Sequence, residues 1–320
     1  MSGPTLGEFL QDAPKNWGRW GPDDELGCLN FLDAAEVVRG AAEIREGQVF
    51  TLGTPITHPT GDPAFPGLGR SGPKRTNSQD YGDYLSGAQE TLPGGLEFAD
   101  DVIELGTHSS THFDALGHAW FDGACWNGYP PETTIGGMQK ASVLPIAEHG
   151  VVGRGVVLDI ARLKGKPHLE RGEPFTHDDL LQAAERQGIT IERRDVVLIR
   201  TGCLGHFYDV GPEEYLATPF LEAGLAYSDE LVFWYQEREL PVFATDTISG
   251  EYTDWETTGY VAPLHASLMR NLGVLFSEIM WLDDLAAACA DDGRWTFFFA
   301  AAPLKIVEGT GALVNPLAIR

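Results

Sequence analysis

No stretch of about 20 apolar residues occurs in this chain of 320 residues, so the sequence predicts no membrane-spanning helix. The N-terminal residues lack the basic and apolar regions of a secretory signal. Cysteines are few, and no two of them form a CxxC pair: Cys28, Cys125, Cys203 and Cys289. Scattered thiols are typical of the reducing cytosol, so we expect a soluble cytoplasmic protein without a disulfide framework.

Positive charge is also scarce. The chain has 22 lysines and arginines against 47 aspartates and glutamates, which gives a formal net charge of −25. Nucleic acids and anionic membranes would repel such a chain, so neither is expected as a partner. Hydrophobic residues make up 43% of the sequence and charged residues 22%, which are ordinary proportions for a globular protein.

The first 140 residues are rich in glycine and proline, which predicts long loops there. Residues 1–45 form an aromatic N-terminal arm, in which Trp17 and Trp20 are expected to pack on the protein body or on a neighbouring subunit. Residues 54–95 consist largely of glycine, proline, serine and asparagine, with three aromatic residues among them. A loop of this length is usually functional or disordered, and we interpret it as a candidate lid.

The second half has clearer secondary-structure patterns. Short β-branched runs predict buried strands at Val151–Ile160 and Val196–Arg200. Between them, a capping box that begins at Thr176 and a terminating Gly188 predict a helix, which gives a strand–helix–strand unit suited to parallel pairing. Further strands are expected at Pro241–Thr247, Val274–Phe276 and Trp295–Ala301, and helices at Asp229–Arg238 and Leu264–Asn271. No composition break divides the chain, so we predict one α/β domain over residues 1–320.

Three of the nine histidines fall within eleven residues, together with an aspartate: His108, His112, Asp114 and His118. Imidazole nitrogen and carboxylate oxygen are ligands that Zn²⁺, Mn²⁺ and Fe²⁺ accept. An ideal helix would place Asp114 nearly opposite the first two histidines, and a straight strand would hold His108 and Asp114 about 20 Å apart. If these residues bind one ion, the chain must therefore bend sharply near Ser109 and Ser110.

Two simpler interpretations of the motif are open from the residues alone. The motif could be a polar strand with solvated histidines. It could also be a closed structural zinc site, for which Cys125 is near enough in sequence to be a ligand.

The histidine motif resembles the HxGTHxDxxxH signature of the metal-dependent cyclase family, which includes bacterial kynurenine formamidase and isatin hydrolase. Here it reads HSSTHFDALGH, with Ser110 where the signature usually has glycine, so the loop is expected to bend slightly differently. Other segments that resemble recurrent blocks of the family cover most of the chain: Trp17–Asn30, Ala99–Asp101, Trp126–Pro130, Val157–Asp159, Leu198–Gly202, Ala244–Thr247 and Leu264–Glu278.

The resemblance implies roles for individual residues. His108, His112 and Asp114 match the ligands of a first metal ion, and His118 matches the acid/base histidine. His265 and Glu278 match residues that hold a second ion in the formamidase branch, so one or two ions of Mn²⁺ or Zn²⁺ are expected per chain. The sequence itself also draws attention to Glu278, because a carboxylate within the apolar stretch VLFSEIMW costs several kcal/mol unless it is paired or metal-bound.

For the whole chain, we expect a mixed, partly barrel-like sheet flanked by helices, of the swivelling β/β/α type. Longer members of the resembled family form dimers or tetramers, which implies a homo-oligomer here, with Trp17–Asn30 as the candidate contact.

The favoured function is hydrolysis of an amide, cyclic amide or lactone or ester bond in a small molecule by a metal-activated water. The sequence has no GxSxG elbow and no phosphate-binding GxxxxGK[ST] motif, so serine hydrolase and P-loop functions are unsupported. Alternatives are a lyase or cyclase that stabilises an enolate, and a non-catalytic metal-binding protein. Four aromatic residues after the motif are candidates for a substrate pocket, although core packing is the more common role of such residues: Trp120, Phe121, Trp126 and Tyr129.

Overall fold

Thirteen strands lie within the part of the chain that this computed structural model describes, which is residues 4–65, 69–253 and 259–320. Nine of them form one mixed sheet that curls into a half barrel, and four form two small two-stranded sheets. In chain order the strands are β1 (Val49–Thr51), β2 (Lys74–Gln79), β3 (Asp100–Glu104), β4 (His112–Asp114), β5 (Val151–Asp159), β6 (Pro174–Phe175), β7 (Val196–Arg200), β8 (Gly224–Leu225), β9 (Val242–Thr245), β10 (Leu275–Glu278), β11 (Thr296–Ala301), β12 (Gly311–Leu313) and β13 (Leu317–Ile319).

Helices flank the large sheet. In chain order they are α1 (Leu6–Phe9), α2 (Ala34–Ala41), α3 (Tyr81–Ser86), α4 (Val143–His149), α5 (Ile160–Leu163), α6 (His177–Gln187), α7 (Cys203–Val210), α8 (Pro212–Tyr215), α9 (Asp229–Arg238), the π-helix α10 (His265–Leu272) and α11 (Asp283–Asp292). Short 3₁₀ turns occur at Gly27–Phe31, Trp126–Gly128 and Pro131–Thr134. In the described residues, no helix is both long enough and apolar enough to cross a membrane.

The large sheet has the strand order β1-β13-β11-β5-β7-β9-β10-β4-β12. Its four central strands, β5, β7, β9 and β10, are parallel, and the strands on either side of them pair antiparallel. Almost every residue of the central strands is buried, as expected for parallel strands covered on both faces. The predicted fold class, an α/β protein with a mixed and partly barrel-like sheet, is confirmed.

The predicted strand–helix–strand unit is present in detail. β5 pairs parallel with β7, and the Thr176 side chain accepts a hydrogen bond from the Asp179 amide at the start of α6. Gly188 ends that helix in the left-handed conformation, with φ of 68°. β5 ends one residue earlier than predicted because the Asp159 carboxylate accepts from the Arg162 amide and thereby caps the short helix α5.

The segment 54–95 is more regular than the predicted loop. It contains β2 and α3, and β2 pairs antiparallel with β3 just beyond it. Residues 66–68 of this segment lie outside the described residues. Two later boundaries also differ from prediction: the helix expected at Leu264–Asn271 is the π-helix α10, and the strand expected at Val274–Phe276 is β10, which extends to Glu278.

The N-terminal arm packs on its own chain; its residues 1–3 lie outside the described part. The Trp17 indole donates to the Arg270 carbonyl oxygen at 2.9 Å, and the guanidinium of Arg270 lies 4.4 Å from the centroid of the indole ring. Trp20 packs edge-on against Phe31 at 5.0 Å between ring centroids. The arm therefore covers α10, which supplies one residue of the site described below.

The exposed extension of residues 74–104, which contains β2, α3 and β3, is a second candidate contact for the predicted homo-oligomer, beside Trp17–Asn30. Leu85, Leu96 and Val102 are 71%, 62% and 59% exposed there, and exposed apolar groups gathered on one element are typical of protein interfaces. We expect light scattering at micromolar concentration to give two or four times the chain mass of 34.8 kDa.

Charged substitutions on this extension should reduce that mass. The double substitution Leu96→Asp and Val102→Asp should dissociate the oligomer, whereas Ile135→Asp, which changes a 72% exposed side chain elsewhere, should not. A monomeric mass for the unmodified protein would contradict the prediction of a homo-oligomer.

Candidate metal centre

A sharp bend carries the chain from His108 to His112. Residues 107–111 form turns and bends, and the Ser109 amide donates to the Gly106 carbonyl oxygen at 3.1 Å, before β4 begins at His112. Ser110 keeps an ordinary φ, and its hydroxyl lies 2.8 Å from that of Thr54. The sequence spacing predicts this bend, because neither a helix nor a straight strand would bring both histidines to one point.

Strand pairing then gathers three side chains on one face of the sheet. His112 and Asp114 lie on the same face of β4 because side chains alternate along a strand, while Phe113 between them is fully buried in the core. Glu278 of β10 is directly opposite His112 in the antiparallel ladder. Directly paired residues have neighbouring Cβ atoms, so Glu278 joins the face that carries the two motif residues.

A glycine on the other neighbouring strand leaves space for His108. Gly311 of β12 is paired with Asp114, and a Cβ atom at Gly311 would lie 2.5 Å from His108 Nε2. Real Cβ atoms do not approach that closely, so the His108 ring can occupy its position only because residue 311 has no side chain.

The residue after Glu278 is held in a strained conformation. Ile279 has φ of 60°, which is unusual for a β-branched residue. Its amide donates to the Thr247 carbonyl oxygen at 2.9 Å, and its own carbonyl oxygen accepts from the Thr111 hydroxyl at 2.5 Å. These two hydrogen bonds fix the end of β10 from both sides.

His265 reaches the same place from the start of α10. The carboxylate of Glu251 accepts hydrogen bonds from the Leu264 amide at 2.7 Å and the His265 amide at 3.0 Å, and it also binds His265 Nδ1. One carboxylate thus caps the helix and orients the imidazole so that Nε2 faces Asp114 and Glu278. π-Helical turns are rare and occur frequently at functional sites.

The polar atoms of these side chains converge on a small buried volume. Asp114 Oδ1 lies 3.1 Å from His108 Nε2 and 3.2 Å from His112 Nε2, and Glu278 Oε2 lies 3.6 Å from His112 Nε2. His265 Nε2 is 3.6 Å from Asp114 Oδ2 and 3.7 Å from Glu278 Oε1. The structure therefore brings together the five residues that the resemblance implies as ligands.

The inner atoms of this cluster fit a metal ion. Within the described residues, no hydrogen-bond partner exists for His108 Nε2, His112 Nε2, either Asp114 oxygen or Glu278 Oε1, although all are buried. By contrast, the outward-facing Nδ1 atom of His112 is hydrogen-bonded to the Ser110 carbonyl oxygen at 2.8 Å. Buried polar atoms without partners are costly, and imidazoles oriented through their other nitrogen are typical of metal ligands.

The cluster contains two possible ligand sets that share Asp114. One consists of His108, Asp114 and His118, and the other of His112, Asp114 and Glu278, with ligand atoms within 4.8 Å of one another in each set. Each set offers three ligand atoms to a divalent ion.

The pKa values of Asp114 and Glu278 show that their two carboxylates repel each other. Burial and the negative charge of Asp114 raise the pKa of Glu278 well above its usual range. Burial also opposes ionisation of Asp114, but the surrounding histidines, His118 first, hold its pKa well below the usual range. One carboxyl group is therefore favoured in its neutral form and the other in its charged form. A bound divalent cation would permit both to ionise.

His118 lies beside the cluster and is half-buried. Its ring stacks on His108 with 4.4 Å between ring centroids and 25° between ring planes. Burial lowers the pKa of His118 to about 3, so the imidazole is neutral at pH 7. The side chain also lines a large cavity, as do His265 and Glu278.

This cavity has a volume of about 920 Å³ and connects the cluster with the surface. The part of its wall that is described is mainly apolar, and its aromatic residues are Phe65, Phe220, Tyr252 and Tyr260. Phe65 and Phe220 stack on each other at 4.4 Å between ring centroids. A cavity of this size and composition suits a small organic molecule with an apolar body.

The four aromatic residues predicted for a substrate pocket lie elsewhere. Trp126 is fully buried, and its indole donates to the Asp24 carbonyl oxygen at 3.2 Å. Phe121 lies 4.0 Å from the guanidinium of Arg270, and Tyr129 packs at the edge of the core. Trp120 is 47% exposed. The segment after His118 thus packs largely against the N-terminal arm and α10, and none of these four residues is part of the described cavity wall.

Two further carboxylates in this part of the chain are buried, Asp246 and Glu251, and sequence reasoning missed Glu251. The Asp246 carboxylate is buried and accepts from the Thr201 amide and hydroxyl and from the Gly202 amide, at 2.7–3.0 Å. It joins the ends of β7 and β9, which is a structural role. Glu251 had no visible signal, because its partners at Leu264 and His265 follow it by more than ten residues without a local motif.

Fold and site together define an α/β protein with a buried histidine–carboxylate cluster at the base of an apolar cavity. A family model described as "Putative cyclase" matches residues 43–252, and the chain belongs to this cyclase family. No curated protein sequence matches the chain.

Solved structures agree with this assignment. The crystal structure of a novel cyclase is 34% identical to this chain with a TM-score of 0.87, and the match covers 96% of this chain and 100% of that one. Isatin hydrolase A from Ralstonia solanacearum is 24% identical with a TM-score of 0.62, covering 91% and 97%. Isatin hydrolase A from Labrenzia aggregata, bound to benzyl benzoate, is 22% identical with a TM-score of 0.59, covering 91% and 98%. The two isatin hydrolases show that the fold is shared.

Substitution of His112 tests the metal centre. For the unmodified protein, Mn²⁺ or Zn²⁺ at about 100 times its dissociation constant should raise the free energy of unfolding by about 2.7 kcal/mol. In His112→Ala this increase should disappear and the metal content by elemental analysis should fall, because a buried ligand is lost. His149→Ala, at an exposed histidine, is the control. Metal content equal to that of the control would exclude His112 as a ligand.

Substitution of Gly311 tests the space left for His108. In Gly311→Ala the new methyl group should displace the imidazole, so we expect metal affinity to fall by about 10- to 100-fold, as for other changes that misorient a ligand. Gly72→Ala is a suitable control because a Cβ atom there meets no atom within 4 Å. Calorimetric titration with Mn²⁺ gives the comparison, and equal affinities would show that His108 does not contribute to binding.

Proposed function

We propose that the protein is a metal-dependent hydrolase that cleaves an amide, cyclic amide, lactone or ester bond of a small molecule. The main observation is the buried cluster of His108, His112 and Asp114, whose inner atoms lack hydrogen-bond partners among the described residues. His118, His265 and Glu278 lie next to this cluster and line a cavity of about 920 Å³. The structural likeness to two isatin hydrolases supports hydrolysis as the reaction class.

His108, His112 and Asp114 are the proposed ligands of a first ion, with His265 and Glu278 available for a second. These imidazole and carboxylate donors suit Mn²⁺ or Zn²⁺. A divalent ion at such a site supplies a Lewis acid that activates water and polarises a carbonyl group. The protein holds its ligands in place through hydrogen bonds behind them, as Ser110 does for His112 and Glu251 does for His265.

His118 is the proposed proton carrier. It is neutral at pH 7, lines the cavity and lies against His108 without being held by any hydrogen bond from the described residues. A neutral imidazole in this position can accept a proton from the attacking water and return it to the leaving nitrogen or oxygen. The apolar wall would exclude bulk water and orient the body of the substrate.

The proposal is tested by a substrate panel. Protein freed of metal by a chelator and then reloaded with Mn²⁺ or Zn²⁺ should hydrolyse members of a set of aryl amides, lactams and lactones, and the chelated protein should not. Mass spectrometry should show the addition of one water to the substrate. Turnover without addition of water would instead indicate a lyase or cyclase, and bound metal without turnover across the panel would indicate a binding protein.

Substitution of His118 tests its role. His118→Ala should retain metal and melting temperature but lose about 10²- to 10⁴-fold in turnover, the usual contribution of general acid–base catalysis. Turnover is measured with the best substrate of the panel, and metal content by elemental analysis, with His149→Ala as the control. If His118→Ala loses metal together with activity, His118 is a ligand, and another group carries the proton.

A further inference from the structure

One guanidinium group faces the cavity, that of Arg70. Among the described residues that line the cavity, it is the sole arginine or lysine. The side chain is half-buried, and it makes no hydrogen bond or ion pair with residues 4–65, 69–253 or 259–320. A guanidinium without a hydrogen-bond acceptor next to apolar surface is energetically unfavourable unless a ligand supplies the acceptor.

Other arginines of this chain show what a paired guanidinium looks like here. Arg154 binds the carboxylates of Glu43 and Asp195 at 2.9 and 2.6 Å, and Arg200 binds those of Asp159 and Asp283 at 2.9 and 2.6 Å. With 47 acidic residues in the sequence, a carboxylate partner is easily found for most cations. Arg45 and Arg162 also lack such partners among the described residues, but both are exposed, whereas Arg70 is half-buried in a cavity wall.

In the described part of the chain, three carboxylates at or beside the cavity already have other partners. Glu251 binds His265 Nδ1 and two amides of α10. Asp114 and Glu278 face the histidine cluster, and their two negative charges would be balanced by one divalent ion. Among the described residues, the charge of Arg70 thus acts on Glu278 from a distance but has no carboxylate bound directly to it.

The overall charge of −25 makes this local cation more informative. The field of such a protein repels anions, so an anionic ligand would bind only where a nearby cation reverses the local potential. A guanidinium offers two parallel N–H groups that match a carboxylate.

We propose that Arg70 binds the carboxylate of the substrate, so that the natural substrate is an organic acid whose apolar or aromatic body lies against Phe65 and Phe220. This inference rests on the proposed function in one respect: the molecule that binds in the cavity is taken to be the substrate. The carboxylate is a recognition group separate from the bond that is cleaved.

Binding of two matched probes tests the proposal without turnover. 3-Phenylpropanoate and 3-phenylpropanamide have nearly the same shape and differ in charge. Calorimetry should show that the unmodified protein binds the acid more tightly than the amide, both after chelation of metal and after reloading with Mn²⁺. Arg70→Gln should weaken binding of the acid by about 10- to 100-fold, which is the usual contribution of hydrogen bonds to a charged group, and should leave binding of the amide unchanged.

Two further variants complete the design. Arg75→Gln removes the same charge at an exposed residue that pairs with Asp101 at 2.7 Å, so it should bind both probes like the unmodified protein. Arg70→Lys keeps the charge without the planar fork, and it should retain part of the preference for the acid. If the melting temperature shows that Arg70→Gln does not fold, Arg70→Lys replaces it as the test variant.

Several results would overturn the proposal. The first is that Arg70→Gln and the unmodified protein bind the acid equally well. The second is that binding of the acid requires Mn²⁺ and does not change when residue 70 is substituted, since the ion would then hold the carboxylate. Equal weakening of both probes would show that Arg70 merely shapes the cavity, and failure of the unmodified protein to prefer the acid would exclude a carboxylate site. Absence of hydrolysis across the substrate panel would refute the proposed function while leaving these binding results interpretable.

Discussion

Two carboxylates and three imidazoles share a buried space, and the rest of the site is built around the cost of placing them there. Removing such groups from water costs several kcal/mol each unless partners compensate for the loss. The described residues supply hydrogen-bond partners to the outer atoms, through the Ser110 carbonyl oxygen behind His112 and the Glu251 carboxylate behind His265. The inner atoms of Asp114 and Glu278 are left facing the histidines.

This arrangement needs support from parts of the chain that carry no ligand. The N-terminal arm contributes Trp17, which binds the carbonyl oxygen of Arg270 and packs on its guanidinium. Because Arg270 belongs to α10, the arm stabilises the helix whose first residue is His265. Asp246 also stabilises the structure without being a proposed ligand, because its carboxylate joins the ends of β7 and β9.

Local interactions were predictable from sequence. The Thr176 capping box and the Val196–Arg200 strand depend on residues close in the chain, and the structure reproduces both. The histidine motif was recognisable for the same reason, since its four polar residues lie within eleven positions. Resemblance to a family, rather than spacing, indicated that His265 and Glu278 join them.

Contacts between distant segments were not predictable. The cavity wall combines residues 219–221 and 260–262 with Phe65, which no local pattern connects. Trp126 and Tyr129 are pocket candidates from sequence because they follow the motif, but they take the alternative role of core packing, beside the N-terminal arm. Glu251 acts through a helix that begins fourteen residues later, and only the folded chain shows the connection.

The strained backbone at Ile279 has a consequence for how the site can evolve. β4 has only three residues, so its own ladder hydrogen bonds specify its alignment with β10 weakly. The two backbone hydrogen bonds of Ile279 prevent β10 from changing its register relative to β4. A slip by one residue would turn Glu278 away and present Ser277 or Ile279 to the histidines. Insertions and deletions should therefore be tolerated in the loops around the cavity, while the length of the chain between Leu275 and Ile279 is fixed.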